Sequence, residues 1–84
     1  MEKAQTLAEV DLKSVLGAVQ KRYRLRLPPR VVMVDYDPDA GSLYVRFRED
    51  EQVDGEPSRD GNLLRHYDQR GRLVAIEVLD IEQL

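Results

Sequence analysis

Eighty-four residues suffice for one domain and fall short of two cores, because a chain of this size buries only about 60–65% of the surface it exposes when unfolded. With no cysteine and a single histidine, His66, neither a disulfide nor a zinc centre is available to reinforce it, which leaves association with another chain as the staple. Thirteen basic against sixteen acidic side chains give a net charge of −3, which excludes a global electrostatic pull toward nucleic acid or an anionic membrane.

The opening MEKAQTLAEV interrupts any apolar run with charge, and no stretch approaches the roughly 18 apolar residues of a membrane span. The expectation is a soluble, cytoplasmic protein with no membrane partner. Thr6 followed by Glu9 has the spacing of a capping box, so a helix should start near Leu7. From there Ala8, Leu12, Val15, Leu16, Val19 and Tyr23 recur at three-and-four spacing, which predicts one apolar stripe facing a core. Lys21, Arg22 and Arg24 suit the negative end of the helix dipole, and Pro28-Pro29 forbids its continuation.

After the prolines the period becomes two. Val32, Val34 and Tyr36 alternate with Val31, Met33 and Asp35, and beyond the turn-forming Asp37 to Ser42, Leu43, Val45 and Phe47 alternate with Tyr44, Arg46 and Arg48, which predicts a β-hairpin. EDEQVDGEPSRDG at 49–61 is too polar to repay the entropy of ordering, and reads as a mobile acidic loop. A second hairpin follows, Asn62 to Tyr67 and Arg72 to Leu79, joined by Asp68-Gln69-Arg70-Gly71.

The two hairpins echo each other. Tyr36-Asp37 leads through Gly41 to Leu43 much as Tyr67-Asp68 leads through Gly71 to Leu73, with Asp able to bind its own turn backbone and Gly supplying the left-handed residue. On YDPDAGSLYVRF at 36–47 and YDQRGRLVAIEVLD at 67–80, over roughly residues 31–81 and without the helix, the chain resembles domain-of-unknown-function family 2283, a group of short prokaryotic domains. Arg65 departs from the apolar residue such domains usually carry before the second Tyr-Asp. The family brings no established activity. Some of its members look like partners of small toxin proteins, so the resemblance implies at most an antitoxin-like role.

Several motifs have a plainer alternative. Asp35, Asp37 and Asp39 open like a calcium loop, but Ala40 and Arg46 occupy the positions that need glycine and a bidentate carboxylate, so these read as turn carboxylates. His66 beside Tyr67 and Asp68 has no nucleophile to serve, because strand neighbours point to opposite faces, and it reads as a surface-strand histidine. Glu77 reads as one half of a cross-strand pair with Arg46, Arg48 or Arg65. Lys21, Arg22, Arg24, Arg26 and Arg30 form the basic cluster, a solvated helix end or else a phosphate grip. No pattern calls for a metal or cofactor.

The expected fold is therefore α+β: one N-terminal amphipathic helix packed on a four-stranded antiparallel sheet made of two β-hairpins. The expected boundaries are a single domain 1–84 with helix about 7–23, hairpin one about 31–48, acidic loop 49–61 and hairpin two about 62–79. One helix covers one sheet face, which leaves Val31, Met33, Tyr44 and Leu73 as the candidate contacts of a second, partly apolar face. A homodimer is the first expectation for its cover and a small protein partner the second. The function expected is a non-catalytic protein-interaction or dimerisation module, antitoxin-like or an adaptor. A small nucleic-acid-binding protein using Lys21 to Arg30 is the alternative, and an enzyme with an unrecognised carboxylate site is the third reading.

Overall fold

The computed structural model describes residues 7–84, with side chains from Leu12 onward. The expected Thr6 cap lies outside the described residues, as do the side chains of Ala8 and Glu9. Helix α1 runs Leu7–Tyr23. Along it Val15 and Val19 are buried, while Leu12, Leu16 and Tyr23 pack partly buried against the same cluster, as the three-and-four spacing requires. The helix stops where Arg24 turns left-handed, at φ 52°. That turn lets Leu25 N–H donate back to Gln20 O at 3.1 Å, the closing bond of a Schellman end. The Gln20 side chain then accepts from Leu27 N–H at 3.0 Å, which aims Leu27 into the core.

Strands β1 (Met33–Asp37), β2 (Ser42–Arg46), β3 (Asp54–Pro57), β4 (Leu63–Tyr67) and β5 (Leu73–Val78) form one sheet in the order β1-β2-β5-β4-β3. Every neighbouring pair is antiparallel. The sheet has five strands, not the four expected. The fifth, β3, lies inside the stretch 49–61 that its composition marked as a loop, and all four of its residues are exposed. It forms through backbone pairing to β4, with Asp54 opposite Tyr67 and Pro57 opposite Leu64, and buries no side chain of its own.

The last strand in sequence is the middle strand in space. Flanked by β2 and β4, β5 buries Val74, Ala75, Ile76 and Val78 completely, which explains its nearly continuous apolar run. Leu43, Val45, Phe47, Leu63, Ile76 and Val78 meet Val15, Val19 and Leu27 in one cluster on the helix side, where each fully buried aliphatic side chain stabilises the fold by about 1.5–3 kcal/mol. The β4–β5 ladder slips by one residue: His66 faces Ala75 but Tyr67 faces Leu73, so Val74 is the extra residue of a bulge.

The turns follow one chemistry. Asp37 Oδ1 accepts from Asp39 N–H at 3.0 Å before Gly41 at φ 72°, and Asp68 Oδ1 accepts from Arg70 and Arg72 N–H at 2.9 Å each before Gly71 at φ 77°. A clasp closes the opposite end of β5. Buried Asn62 donates its Nδ2 to Asp80 O and accepts at Oδ1 from Asp80 N–H, both at 2.9 Å, and Ile81 N–H reaches Gly41 O at 2.9 Å. A single 3-10 turn, Ile81–Gln83, capped by Asp80, ends the chain. No helix among the described residues is long and apolar enough to cross a membrane.

Candidate interaction face

Strand alternation assigns the residues of the sheet's outer face, the one turned away from α1. The register places Asp35, Tyr44, Glu77, Leu64 and Pro57 side by side across the five strands. The next outer row, two residues away and so roughly 6.6 Å along the strands, is Met33, Arg46, Ala75, His66 and Gly55. The first row carries two carboxylates. The second carries a guanidinium and the imidazole.

A directional chain of hydrogen bonds ties the middle of this face together. Arg46 Nη1 donates to Tyr44 Oη at 3.1 Å, Tyr44 Oη donates to Gln52 Oε1 at 3.1 Å, and Gln52 Nε2 lies 3.3 Å from His66 Nδ1. Because a guanidinium only donates, the Tyr44 hydroxyl must pass its proton onward, and the Gln52 amide is oriented by what its oxygen receives. His66 Nδ1 is therefore the acceptor, and the proton of the neutral ring sits on Nε2. The Tyr44 and His66 rings stand 6.2 Å apart at 57°. Arg46 Nη2 also donates to Asp50 O, which ties the connection between β2 and β3 to this face, and Ala75 in the same row is fully buried.

The apolar exposure is equally one-sided. Among the described residues Met33, Val53 and Leu79 are the exposed large hydrophobic ones, at 45%, 49% and 47%. Met33 lies in the second row. Val53 and Leu79 continue the outward alternation of β3 and β5 by one residue, held by Val53 N–H to Tyr67 O at 2.8 Å and Leu79 N–H to Asn62 O at 2.9 Å. The four residues singled out from the sequence divide accordingly: Met33 and Tyr44 lie on the outer face, whereas Val31 and Leu73 pack against the helix-side cluster. The bulge at Val74 turns Leu73 inward, and β1 starts only at Met33, so strict alternation does not govern Val31. Gln52, Val53 and Leu79 were not foreseen as part of a site. The one signal for the first two was Gln52-Val53 standing uncharged within the acidic run.

The remaining candidates are placed as follows. Lys21, Arg22, Arg24, Arg26 and Arg30 are all exposed, but Arg22 is engaged: its Nη2 lies 3.2 Å from Asp60 Oδ2, which also accepts from Tyr23 Oη at 3.0 Å. Asp60 is held well below the usual carboxylate range, chiefly by the Ser58 hydroxyl and then by Asn62 N–H, and hydrogen bonding to Asp60 raises Arg22. Glu77 does not pair with Arg46, Arg48 or Arg65. It stands opposite Tyr44 and Leu64, while Arg65 reaches Glu56 at 3.3 Å on the other face. Asp37 serves its own turn, and among the described residues no three His, Asp or Glu side chains are grouped to hold a metal.

A shallow cleft at one end of the sheet is lined by Arg48, Asp50, Asp68, Arg70 and Arg72 among others. Its charges are largely matched internally: Arg48 Nε to Asp50 and Arg72 Nε to Asp68 both lie at 2.8 Å, with Arg72 to Asp50 at 3.7 Å. The two sheet edges are both acidic. β1 carries Asp35 and Asp37, and β3 carries Asp54, Glu56 and Pro57, so strand addition at either edge by another copy would set carboxylates against carboxylates.

No curated protein and no solved structure matches the chain. The sheet, from the first residue of β1 to the first residue of the closing 3-10 turn, is another matter: residues 33–81 match the family described as Protein of unknown function (DUF2283), and the chain belongs to that family.

Proposed function

We propose that this chain is a non-catalytic protein-interaction module that binds through the outer face of its sheet, in an adaptor or antitoxin-like role. One observation carries the reading: among the described residues the exposed large hydrophobic ones, Met33, Val53 and Leu79, fall on or beside that face. They stand on or beside different strands of the sheet, and a face that carries all three is one that another polypeptide can shield. The polar groups between them favour binding over chemistry. Arg46, Tyr44, Gln52 and His66 already satisfy one another, so covering them leaves few unpaired groups.

Site-specific photo-crosslinking in intact cells tests this. A benzophenone side chain at position 79 is expected to give a protein adduct, and one at Lys13, exposed on α1, is expected to give none. Absence of any adduct from position 79, or equal labelling from both positions, would remove the reading.

A further inference from the structure

The cations at the end of α1 face solvent together, and we infer that they bind the phosphate backbone of a nucleic acid, without regard to base sequence. Lys21, Arg22, Arg24 and Arg26 are exposed, while Tyr23, Leu25 and Leu27, which alternate with them, pack against the core cluster. The fold adds a further cation from far along the chain. Arg59, exposed in the turn between β3 and β4, shares a shallow surface dish with Arg22, Tyr23 and Asp60. Asp60 accepts from the Ser58 hydroxyl at 2.6 Å, Asn62 N–H at 3.0 Å and Tyr23 Oη at 3.0 Å, so it is a fixed post, and it holds Arg22 Nη2 at 3.2 Å. Among the described residues Lys21, Arg24, Arg26 and Arg59 stand in no ion pair. None of these residues lies in the sheet's outer rows, so the site is independent of the interaction reading above.

The helix dipole accounts for Lys21 and Arg22, which stand in the last turn of α1, but Arg24, Arg26 and Arg59 lie beyond it and gain nothing from it. Gathering like charges costs free energy, and in a chain with sixteen acidic against thirteen basic side chains carboxylates to offset them are plentiful. Most of the groups are guanidiniums, whose forked donors fit phosphate oxygens in pairs. A bilayer fits less well, because Leu25 and Leu27 are committed to the core and leave no large apolar side chain beside the cations to insert. Tyr23 is no platform for a base, since Asp60 holds its hydroxyl and Arg22 lies over its ring at 5.7 Å, which leaves backbone contacts without base readout. Arg30 lies in a different groove, with Glu49 and Asp50, and takes no part. The net charge of −3 opposes approach from a distance, so the affinity belongs to the non-specific range, a Kd of about 10⁻⁴–10⁻⁶ M at physiological salt.

Titration of the full chain into a fluorescein-labelled DNA duplex of about 20 base pairs, followed by anisotropy at several salt concentrations, tests this. Affinity should fall with salt on logarithmic axes with a slope of about −0.9 per phosphate contacted, roughly −4 to −5 if Lys21, Arg22, Arg24, Arg26 and Arg59 all engage. A duplex of unrelated sequence should bind equally. Arg24→Gln with Arg26→Gln should weaken binding about tenfold and make the slope shallower by about 2. Lys13→Gln with Arg70→Gln removes the same charge from exposed positions elsewhere and should change affinity less than about twofold at physiological salt, where distant charges are screened. If circular dichroism shows that Arg24→Gln disturbs the helix end, where the backbone is left-handed, Arg26→Gln with Arg59→Gln replaces that variant and should act in the same way. Vesicles containing phosphatidylserine should bind more weakly than the duplex. No binding at about 1 mM protein in low salt, a slope shallower than about −2, or an equal loss in the Lys13 and Arg70 variant would each overturn the inference. Tighter binding to the vesicles, or a preference between the two duplexes, would overturn it as well.

Discussion

At the scale of single residues, Asp68 shows how much one side chain contributes to a turn. It is buried, and its carboxylate accepts from Arg70 N–H, Arg72 N–H and Arg72 Nε, all within 2.9 Å. Its pKa is lowered, chiefly by the Arg72 backbone N–H, against an opposing effect of burial. A lowered folded pKa means that the charged carboxylate stabilises the fold fully above its unfolded value of about 3.9, and that this stabilisation is lost as pH falls through the folded value. Asp68→Asn should therefore lower the urea midpoint at pH 7, and the gap from wild type should narrow at pH 3 and below. A gap of constant size would mean that the charge contributes nothing and only the shape of the turn matters. The Tyr-Asp…Gly echo was legible in the sequence because a turn of this kind is written in contiguous residues, and Asp37 and Asp68 do cap their turns in the same way.

At the scale of elements, what was legible followed from periodicity and what was missed followed from its absence. The stripe Leu12, Val15, Leu16, Val19 and Tyr23 and the alternations of β1 and β2 are patterns that burial itself imposes. β3 has no such pattern: Asp54 to Pro57 are wholly exposed, so only the free edge of β4 recruits them, and no local composition reports a free edge. The inward turn of Leu73 was illegible for a related reason, because a bulge shifts alternation without changing which residues are apolar. The outer-face network was missed because Gln52 reaches Tyr44 and His66 from a connection whose path depends on where β3 pairs. Asn62 was equally silent, read only as the start of a strand. It is the joint between β5 and the C-terminal turn, and Asn62→Ala would strand the buried-side N–H and C=O of Asp80. The expected cost is about 1–3 kcal/mol, read as a lower urea midpoint with faster amide exchange at Asp80. A change below about 0.5 kcal/mol, as for an ordinary surface substitution, would show that water replaces the clasp without loss.

At the scale of the whole molecule, one helix and one sheet face make the core, and the proposed binding uses the other sheet face, so that folding and binding would draw on different residues. Their separation is testable. A chain of this length has a stability of roughly 4–13 kcal/mol, and Ile76→Ala, which empties a fully buried position at the centre of the sheet, should cost about 2–5 kcal/mol of it. Leu79, only one strand turn away in sequence, is 47% exposed, and Leu79→Ser should change monomer stability by no more than about 0.5 kcal/mol. Thermal unfolding of the two variants distinguishes the two roles, because a side chain of the folding core moves the midpoint and a side chain exposed for binding does not. The midpoint of Ile76→Ala should fall well below that of wild type, and that of Leu79→Ser should stay close to it. If Leu79→Ser lowers the midpoint as far as Ile76→Ala does, the outer face is part of the folding core and the division between the two faces does not hold.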